Sequence, residues 1–178
     1  MTACRGTIAA NLCFGGHLGP LTTATESYNG TTWTTVNALP AAKQLGGGAG
    51  TQGAALCYGG NLPGVTNTTE SWDGTNWTAG NAMNTSREFS GSTGAGTQTA
   101  ALAQGGGGPA PSETITEEFN GTSWTTSPAT MNTARSNKAG TGTQTAALAI
   151  GGAPPPGTPF AMTTTEAYNG TSWTSKII

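Results

Sequence analysis

The sequence predicts an all-β protein made of four repeated antiparallel units. Two observations lead to this prediction. A pattern of Thr-Glu-x-aromatic-Asn/Asp-Gly-Thr-x-Trp-Thr occurs four times, at 25–34, 69–78, 116–125 and 165–174. A short apolar run that ends in a double glycine precedes each copy, so both features recur about every 45 residues. Repetition at this interval indicates that each unit is one supersecondary structure that packs on its neighbours.

The first strand of each unit is predicted in a segment rich in Gly, Thr and Ala. In the fourth unit this segment is 136–141, and the Gly-Thr-Gln at 142–144 follows it and recurs at 50–52 and 96–98. We interpret the segment as a weak strand before a tight turn, because Gly lowers strand propensity. Such small residues fit a place where strands crowd together, as near the axis of a radial array.

The apolar run is predicted to be the second strand, and a buried one. Short apolar runs bounded by Gly are typical of buried strands. In the fourth unit Leu148 and Ile150 share one face of this strand, whereas Ala147 and Ala149 share the other. A neighbouring sheet can therefore approach the face with small side chains closely.

The pattern that contains Trp is predicted to be a hairpin of the third and fourth strands. Its Asn-Gly or Asp-Gly pair accepts positive φ at both positions, as a two-residue type I′ turn requires. In the fourth unit this turn would place Tyr168 opposite Thr171 and Glu166 opposite Trp173. The aromatic, Glu and Trp side chains would then share one face of the hairpin.

Recurrent residues are expected to have structural roles. Trp33, Trp77, Trp124 and Trp173 are predicted to pack between units. Glu26, Glu70, Glu117 and Glu166 are predicted to accept structural hydrogen bonds opposite the Trp, with Lys43, Arg87 or Arg135 as partners from neighbouring connections. Cys13 and Cys57 occupy equivalent positions, where later units have Ala, and are predicted to be small buried side chains.

Repeated four-stranded units of this length are typical of propeller blades. The double glycine, the aromatic and Trp of the next hairpin, and the Met-Asn-Thr-x-Arg segments at 83–87 and 131–135 resemble kelch repeats. The resemblance implies an all-β fold, a β-propeller of four-stranded antiparallel blades, with four kelch-like repeats in one array at about 1–35, 44–79, 90–126 and 136–178. Three arrangements remain open: a closed four-blade ring, a homodimer that completes an eight-blade ring, and an arc of a longer array.

Binding residues are expected at one end of the units. Alternating strand direction places the second-to-third-strand connections at the same end as the connections between units. These loops differ in every unit, and variable loops on a rigid scaffold usually carry binding residues; tolerated linkers are the alternative. The predicted ligand- or partner-binding residues are His17, Leu18, Asn61, Leu62, Pro109, Pro155, Phe160 and Met162.

Composition narrows the classes of function. The net charge is −2, only 8% of residues are charged and the six cations are scattered, which argues against nucleic-acid binding. No run approaches the roughly 20 apolar residues of a membrane span, so no membrane insertion is expected. One histidine, and three cysteines without metal-ligand spacing, predict no catalytic residues, no metal site and no cofactor.

The expected function is a non-enzymatic binding or display module that recognises a protein or glycan receptor. The sparsely charged Thr-, Asn- and Gly-rich repeat resembles arrays of phage and environmental proteins, which implies an extracellular or virion-surface location, as in a tail fibre. The alternative is a structural spacer or assembly protein that self-associates through its blades.

Overall fold

A computed structural model describes residues 3–17, 19–88, 94–108, 114–136, 138–154 and 162–176. Their strands form four sheets. Sheet 1 contains β1 (Ala3–Gly6), β2 (Asn11–Phe14), β3 (Thr25–Tyr28) and β4 (Trp33–Val36). Sheet 2 contains β5 (Gly47–Gly50), β6 (Ala55–Tyr58), β7 (Thr69–Trp72) and β8 (Trp77–Ala79). Sheet 3 contains β9 (Gly94–Gly96), β10 (Ala101–Gln104), β11 (Thr116–Phe119) and β12 (Trp124–Thr126). Sheet 4 contains β13 (Ala139–Gly142), β14 (Ala147–Ile150), β15 (Thr165–Tyr168) and β16 (Trp173–Lys176).

Each sheet follows chain order, and every neighbouring pair of strands is antiparallel. The prediction of an all-β chain with four four-stranded antiparallel sheets is therefore confirmed. Short connections favour this order, because consecutive antiparallel strands need only a tight turn or loop between them. In the described part of the chain, no helix is long and apolar enough to cross a membrane.

The hairpin register differs from the prediction. Tyr168 lies opposite Trp173, and Glu166 lies opposite Ser175. The loop is a two-residue turn shifted by one position, because the Asn169 N–H donates to the Ser172 carbonyl at 3.2 Å. Positive φ occurs at Gly170 but not at Asn169. This is the φ pattern of a type II′ turn, so the predicted type I′ turn is wrong, although the aromatic, Glu and Trp side chains do share one face.

The Asn or Asp of each hairpin acts through its side-chain oxygen. Asn169 Oδ1 accepts hydrogen bonds from the backbone N–H groups of Thr171 at 3.0 Å and Ser172 at 2.8 Å. Asn29, Asp73 and Asn120 make the same pair of contacts in their own hairpins. These Asx turns compete with the backbone geometry that the sequence pattern suggested.

The Gly-rich first strands pack beside one another. Contacts run in series from β1 to β5, from β5 to β9 and from β9 to β13. A Cβ atom on Gly94 would lie 1.4 Å from the carbonyl oxygen of Gly48, so a side chain cannot be accommodated there. The predicted crowding of these strands is confirmed, and it explains why they carry so few large residues.

Adjacent sheets are joined by three similar apolar cores. Between sheets 1 and 2, the face with larger side chains contributes Leu12 and Phe14, and the opposing face contributes Ala55, Cys57 and Trp77. The other two cores repeat this arrangement with Leu56, Tyr58, Ala101, Ala103 and Trp124, and with Leu102, Ala147, Ala149 and Trp173. The predicted division between a large-residue face and a small-residue face is confirmed.

Each internal core also contains a hydrogen bond from a Trp ring. The Trp124 Nε1 group in sheet 3 donates to Thr69 Oγ1 in sheet 2 at 2.9 Å. Trp77 and Trp173 make the same bond to Thr25 and Thr116. These three Trp residues pack between sheets as predicted, but Trp33 does not, because half of its surface is exposed on the outer face of sheet 1.

Buried ion pairs connect sheets 2, 3 and 4 to the segment that precedes each of them. Lys43 contacts Glu70 at 2.6 Å, Arg87 contacts Glu117, and Arg135 contacts Glu166 at 2.7 Å. The predicted structural role is confirmed for these Glu residues, although they do not lie directly opposite the Trp. Glu26 has no corresponding ion pair within the described residues and is exposed.

The cysteines follow the prediction only in part. Cys57 is a free, buried thiol, as expected. Cys13 is not a simple small side chain, because it forms a disulfide with Cys4. The two residues face each other across the β1–β2 pair, so antiparallel register brings them together.

Candidate binding surface

The two ends of the sheets differ in structure. Antiparallel order places the connections between second and third strands, and the connections between sheets, at the same end. We call this end the connection end. Its described segments are 15–17, 19–24, 37–46, 59–68, 80–88, 105–108, 114–115, 127–136, 138, 151–154 and 162–164. The opposite end, which we call the turn end, carries the tight Thr- and Asn-containing turns that repeat from sheet to sheet. Sequence variation is therefore concentrated at the connection end.

Short backbone β-bridges stabilise the segments at the connection end. In sheet 2, Gln44 and Asn61 exchange two backbone hydrogen bonds at 3.1 and 2.8 Å. Glu88 pairs in the same way with Gly107 in sheet 3, and Ser136 pairs with Ala153 in sheet 4. Each of these bridges lengthens the pairing of the first two strands of its sheet toward the connection end. The loops above them therefore start from a fixed framework.

Both glycines after the second strand are required by the backbone. Gly59 and Gly60 have φ values of 60° and 105°. This left-handed conformation favours glycine, and it turns the chain so that the Gly60 N–H donates to the Arg87 carbonyl at 2.9 Å. Arg87 thus contacts sheet 2 through its backbone and Glu117 of sheet 3 through its side chain. The double glycine therefore helps to join consecutive sheets at this end.

Four of the eight predicted binding residues lie in described segments of the connection end. His17 is exposed and forms a bridge with Leu21. Asn61, Leu62 and Met162 are partly exposed. Only Asn61 and Leu62 belong to the same connection. The other four predicted residues, Leu18, Pro109, Pro155 and Phe160, lie outside the described residues.

Glu88 is a surface residue that the sequence analysis did not select. Its Oε2 atom accepts a hydrogen bond from Asn61 Nδ2 at 2.9 Å, so it links the connection ends of sheets 2 and 3. Asn61 Oδ1 in turn accepts from the Gly64 N–H at 3.1 Å and shapes its own loop. An acidic residue directly after Arg87, in a chain with so few charges, was the available signal.

The basic side chains of the connection end are not available to a ligand. Lys43, Arg87, Arg135 and Lys138 are each almost completely buried. The described surface therefore offers amides, hydroxyls, the His17 ring and the Glu88 carboxylate between patches of apolar surface. Such a surface suits a neutral polar ligand or a protein loop better than a strongly anionic ligand.

Lys138 has the most unusual electrostatic environment. Its Nζ group donates to the Gln104 carbonyl, and no described carboxylate forms an ion pair with it. Burial, together with the positive charges of Arg87 and Arg135, lowers the pKa of Lys138 to about 7, against the opposing effect of Glu166. The side chain lies between sheets 3 and 4, so its titration affects packing rather than a surface site.

Cavities also lie elsewhere in the molecule. One, of about 270 Å³, is lined by the four first strands, including Arg5, Gly50, Gly96 and Gly142. Another, of about 370 Å³, lies on the outer face of sheet 1 beside Cys4, Cys13, Glu26 and Trp33. Among the described residues, no three His, Cys, Asp or Glu side chains are grouped closely enough to hold a metal ion.

Comparison with known proteins supplies no family for this chain. No family model matches it, and no curated protein matches it either.

Proposed function

We propose that the chain is a non-enzymatic binding or display module that recognises a protein or glycan receptor through its connection end. The observation behind this proposal is the contrast between the two ends. The turn end repeats the same turns, whereas the connection end carries different loops on a backbone that β-bridges stabilise. Rigid scaffolds with variable loops suit recognition, because only the loops need to change. Exposed amides and hydroxyls can hydrogen-bond to sugar hydroxyls, and Leu62 and Met162 add apolar contact area.

We further propose that the four sheets are blades of a kelch-like β-propeller. Support comes from the series of contacts between the first strands and from the cavity that all four of them line. Four-stranded blades around a central channel have this arrangement. A crystal structure in which the four first strands did not surround a common axis would contradict the proposal.

An extracellular or virion-surface location is proposed with this function. The disulfide between Cys4 and Cys13 supports it, because disulfides form and persist in oxidising compartments. Thr, Asn and Gly in place of charged residues are also compatible with an exposed display protein. Mass spectrometry of the native protein, with and without alkylation, would test whether the disulfide is present.

Substitution at the two ends tests the binding proposal. Leu62→Ser and Phe160→Ser change residues that follow two different second strands in the sequence, and we expect both variants to keep the sheets folded. We expect each variant to weaken binding to glycans on an array, or to host-cell receptors, by about tenfold or more. The control is Asn29→Asp at the turn end, where Asp73 already occupies the same position in sheet 2. Loss of binding in Asn29→Asp, with no change in the two loop variants, would place the binding surface at the opposite end.

A second candidate function is structural assembly, in which chains associate through their sheets. The exposed outer faces of sheets 1 and 4 favour it. Assembly and receptor binding use different surfaces, so each can be tested without the other.

A further inference from the structure

The contact between neighbouring sheets has the same parts each time it occurs. One sheet contributes a Leu, a second larger side chain and a Thr hydroxyl, while the next sheet contributes small residues and a Trp. The Trp-to-Thr hydrogen bond measures 3.0, 2.9 and 2.9 Å in the three contacts. A fourth contact of this kind would need one free face of each type.

The outer face of sheet 4 is a free face of the first type. Leu148 and Ile150 are 37% and 40% exposed, whereas the equivalent Leu residues of sheets 1 to 3 are fully buried. Thr165 occupies the position of the three Thr acceptors. Its Oγ1 atom is buried but has no hydrogen-bond partner. A buried hydroxyl without a partner is unusual, and in each of the three internal contacts a Trp Nε1 group donates to the equivalent hydroxyl.

The outer face of sheet 1 carries the Trp of the second type of face, with Asn11 and the Cys4–Cys13 disulfide at the positions of the small residues. Trp33 is 50% exposed, whereas its three counterparts are at most 8% exposed. Its ring packs on Tyr28 with the ring centroids 5.0 Å apart, as the Trp124 ring packs on Phe119. Within the described residues its Nε1 group makes no hydrogen bond. Thr165 therefore lacks a donor of the kind that Trp33 provides, and Trp33 lacks an acceptor of the kind that Thr165 provides.

These two faces do not cover each other within one chain. The first strands contact in series from β1 to β13, and both outer faces remain exposed at the two ends of the series. We propose that the outer face of sheet 4 binds the outer face of sheet 1 of a second copy, head to tail. In this contact Trp33 covers Leu148 and Ile150, and its Nε1 group donates to Thr165 Oγ1.

The proposed contact has fewer polar links than the internal ones. Gln52, Gln98 and Gln144 each donate to two backbone carbonyls of the preceding sheet, whereas sheet 1 has the exposed Ile8 at this position. Glu26 also lacks the cation that the other Glu residues contact. We therefore expect association that is reversible with concentration rather than permanent. This inference belongs to the assembly function and does not depend on receptor binding at the connection end.

The first experiment measures the mass of the full chain across concentration. Sedimentation equilibrium from about 1 to 200 μM covers the affinities expected of a contact this small. We expect the mass to rise from the 17.6 kDa of one chain to that of two or more chains. Tryptophan fluorescence should shift to shorter wavelength over the same range, because Trp33 is the one ring that becomes buried. A mass of one chain at every concentration would overturn the proposal.

Single substitutions test the two faces separately. Trp33→Ala removes the ring of sheet 1, and Ile150→Asp places a charge on the outer face of sheet 4. Each should weaken association by about tenfold or more, with an unchanged circular dichroism spectrum. Thr165→Val removes only the acceptor and should weaken association by a few-fold. Its matched control, Thr116→Val, removes the acceptor of Trp173 inside the chain, so it should lower thermal stability without changing association.

Mixing the variants distinguishes a head-to-tail contact from a symmetric one. Trp33→Ala retains an intact sheet 4 face, and Ile150→Asp retains an intact sheet 1 face. A mixture of the two should therefore form a mixed pair at concentrations at which each variant alone stays at one chain mass. If the mixture stays monomeric, or if the single variants associate as well as the unchanged chain does, association uses another surface and the proposal fails.

Discussion

At the scale of single residues, side-chain chemistry decides the hairpin turns. The Asn or Asp oxygen accepts two backbone N–H groups, and only the following Gly takes positive φ. The contacts from Asn76 and Thr75 hold the pKa of Asp73 below its ordinary value, because they stabilise the ionised carboxylate. Asn and Asp are therefore interchangeable here, whereas the Gly is not.

The turn of sheet 3 gives the first prediction. Gly121 has a φ of 93°, which a β-branched residue adopts only with strain. Gly121→Val should therefore lower the free energy of unfolding by roughly 1 kcal/mol or more. Asn120→Asp is the control and should change it by less than about 0.5 kcal/mol, because Asp73 already fills this role. Urea denaturation measures both; equal stability of the two variants would contradict the turn assignment.

At the scale of elements, each contact between sheets combines an apolar core, a Trp-to-Thr hydrogen bond and an ion pair. Equivalent side chains contribute differently to stability in different sheets, because a neighbouring sheet covers that face in only three of the four copies. Equivalent positions therefore provide matched pairs of variants.

Trp124 and Trp33 form the first matched pair. Trp124 is 5% exposed and Trp33 is 50% exposed. Trp124→Ala should cost roughly 3–5 kcal/mol, because it leaves a cavity and an unpaired Thr69 hydroxyl. Trp33→Ala should cost less than about 1 kcal/mol in the monomer. Thermal unfolding at low protein concentration measures both; similar costs would show that the outer face of sheet 1 is covered within the chain.

Glu117 and Glu26 form the second matched pair. Glu117 is fully buried and contacts Arg87, and it also accepts from the Asn84 N–H at 2.8 Å. Glu117→Gln should cost roughly 3–5 kcal/mol, because it leaves the Arg87 charge buried without a partner. Glu26→Gln should change stability by less than about 0.5 kcal/mol, because Glu26 is exposed and unpaired among the described residues. Guanidinium denaturation of the two variants would test the difference, and a silent Glu117→Gln would show that the ion pair is unimportant.

At the scale of the whole molecule, the main contacts of each described sheet are with its neighbours in a series. Stability in such arrays depends on the individual contacts between neighbours. A buried charge in one contact can therefore control how the stability of the molecule responds to pH.

Lys138 provides that pH dependence. Its pKa is lowered to about 7 in the folded chain, from an ordinary value of 10.5. Unfolding therefore takes up a proton between these values, so stability should rise with pH, by roughly 2 kcal/mol from pH 7 to 9. Above pH 9 the trend should weaken, because burial raises the pKa of Cys57 and Tyr58 to about 12 and favours unfolding once their unfolded forms ionise.

Lys138→Met is the variant that tests the pH dependence. It should flatten the rise between pH 7 and 9 and increase stability at pH 7, because an uncharged side chain has no desolvation cost. Chemical denaturation at fixed pH values measures both effects. An unchanged pH profile in the variant would assign the dependence to another group.

The sequence alone determined the local structure of this protein. Strand positions, the face shared by Tyr168, Glu166 and Trp173, and the crowded Gly-rich strands follow from alternation and residue size, which act over a few neighbouring residues. The end that carries the variable loops followed from antiparallel order alone. His17, Asn61, Leu62 and Met162 accordingly lie there.

Only the tertiary structure decided how equivalent residues differ. The one-residue shift of the hairpin depends on where Asn169 Oδ1 finds its donors, and the Cys4–Cys13 disulfide depends on register. The role of Glu88 at the connection end depends on its hydrogen bond with Asn61, which is 27 residues away in the sequence. Trp33 and Trp124 have nearly the same local sequence, yet one is exposed and the other is buried. Local sequence fixes which face a side chain occupies, but burial depends on whether another sheet covers that face.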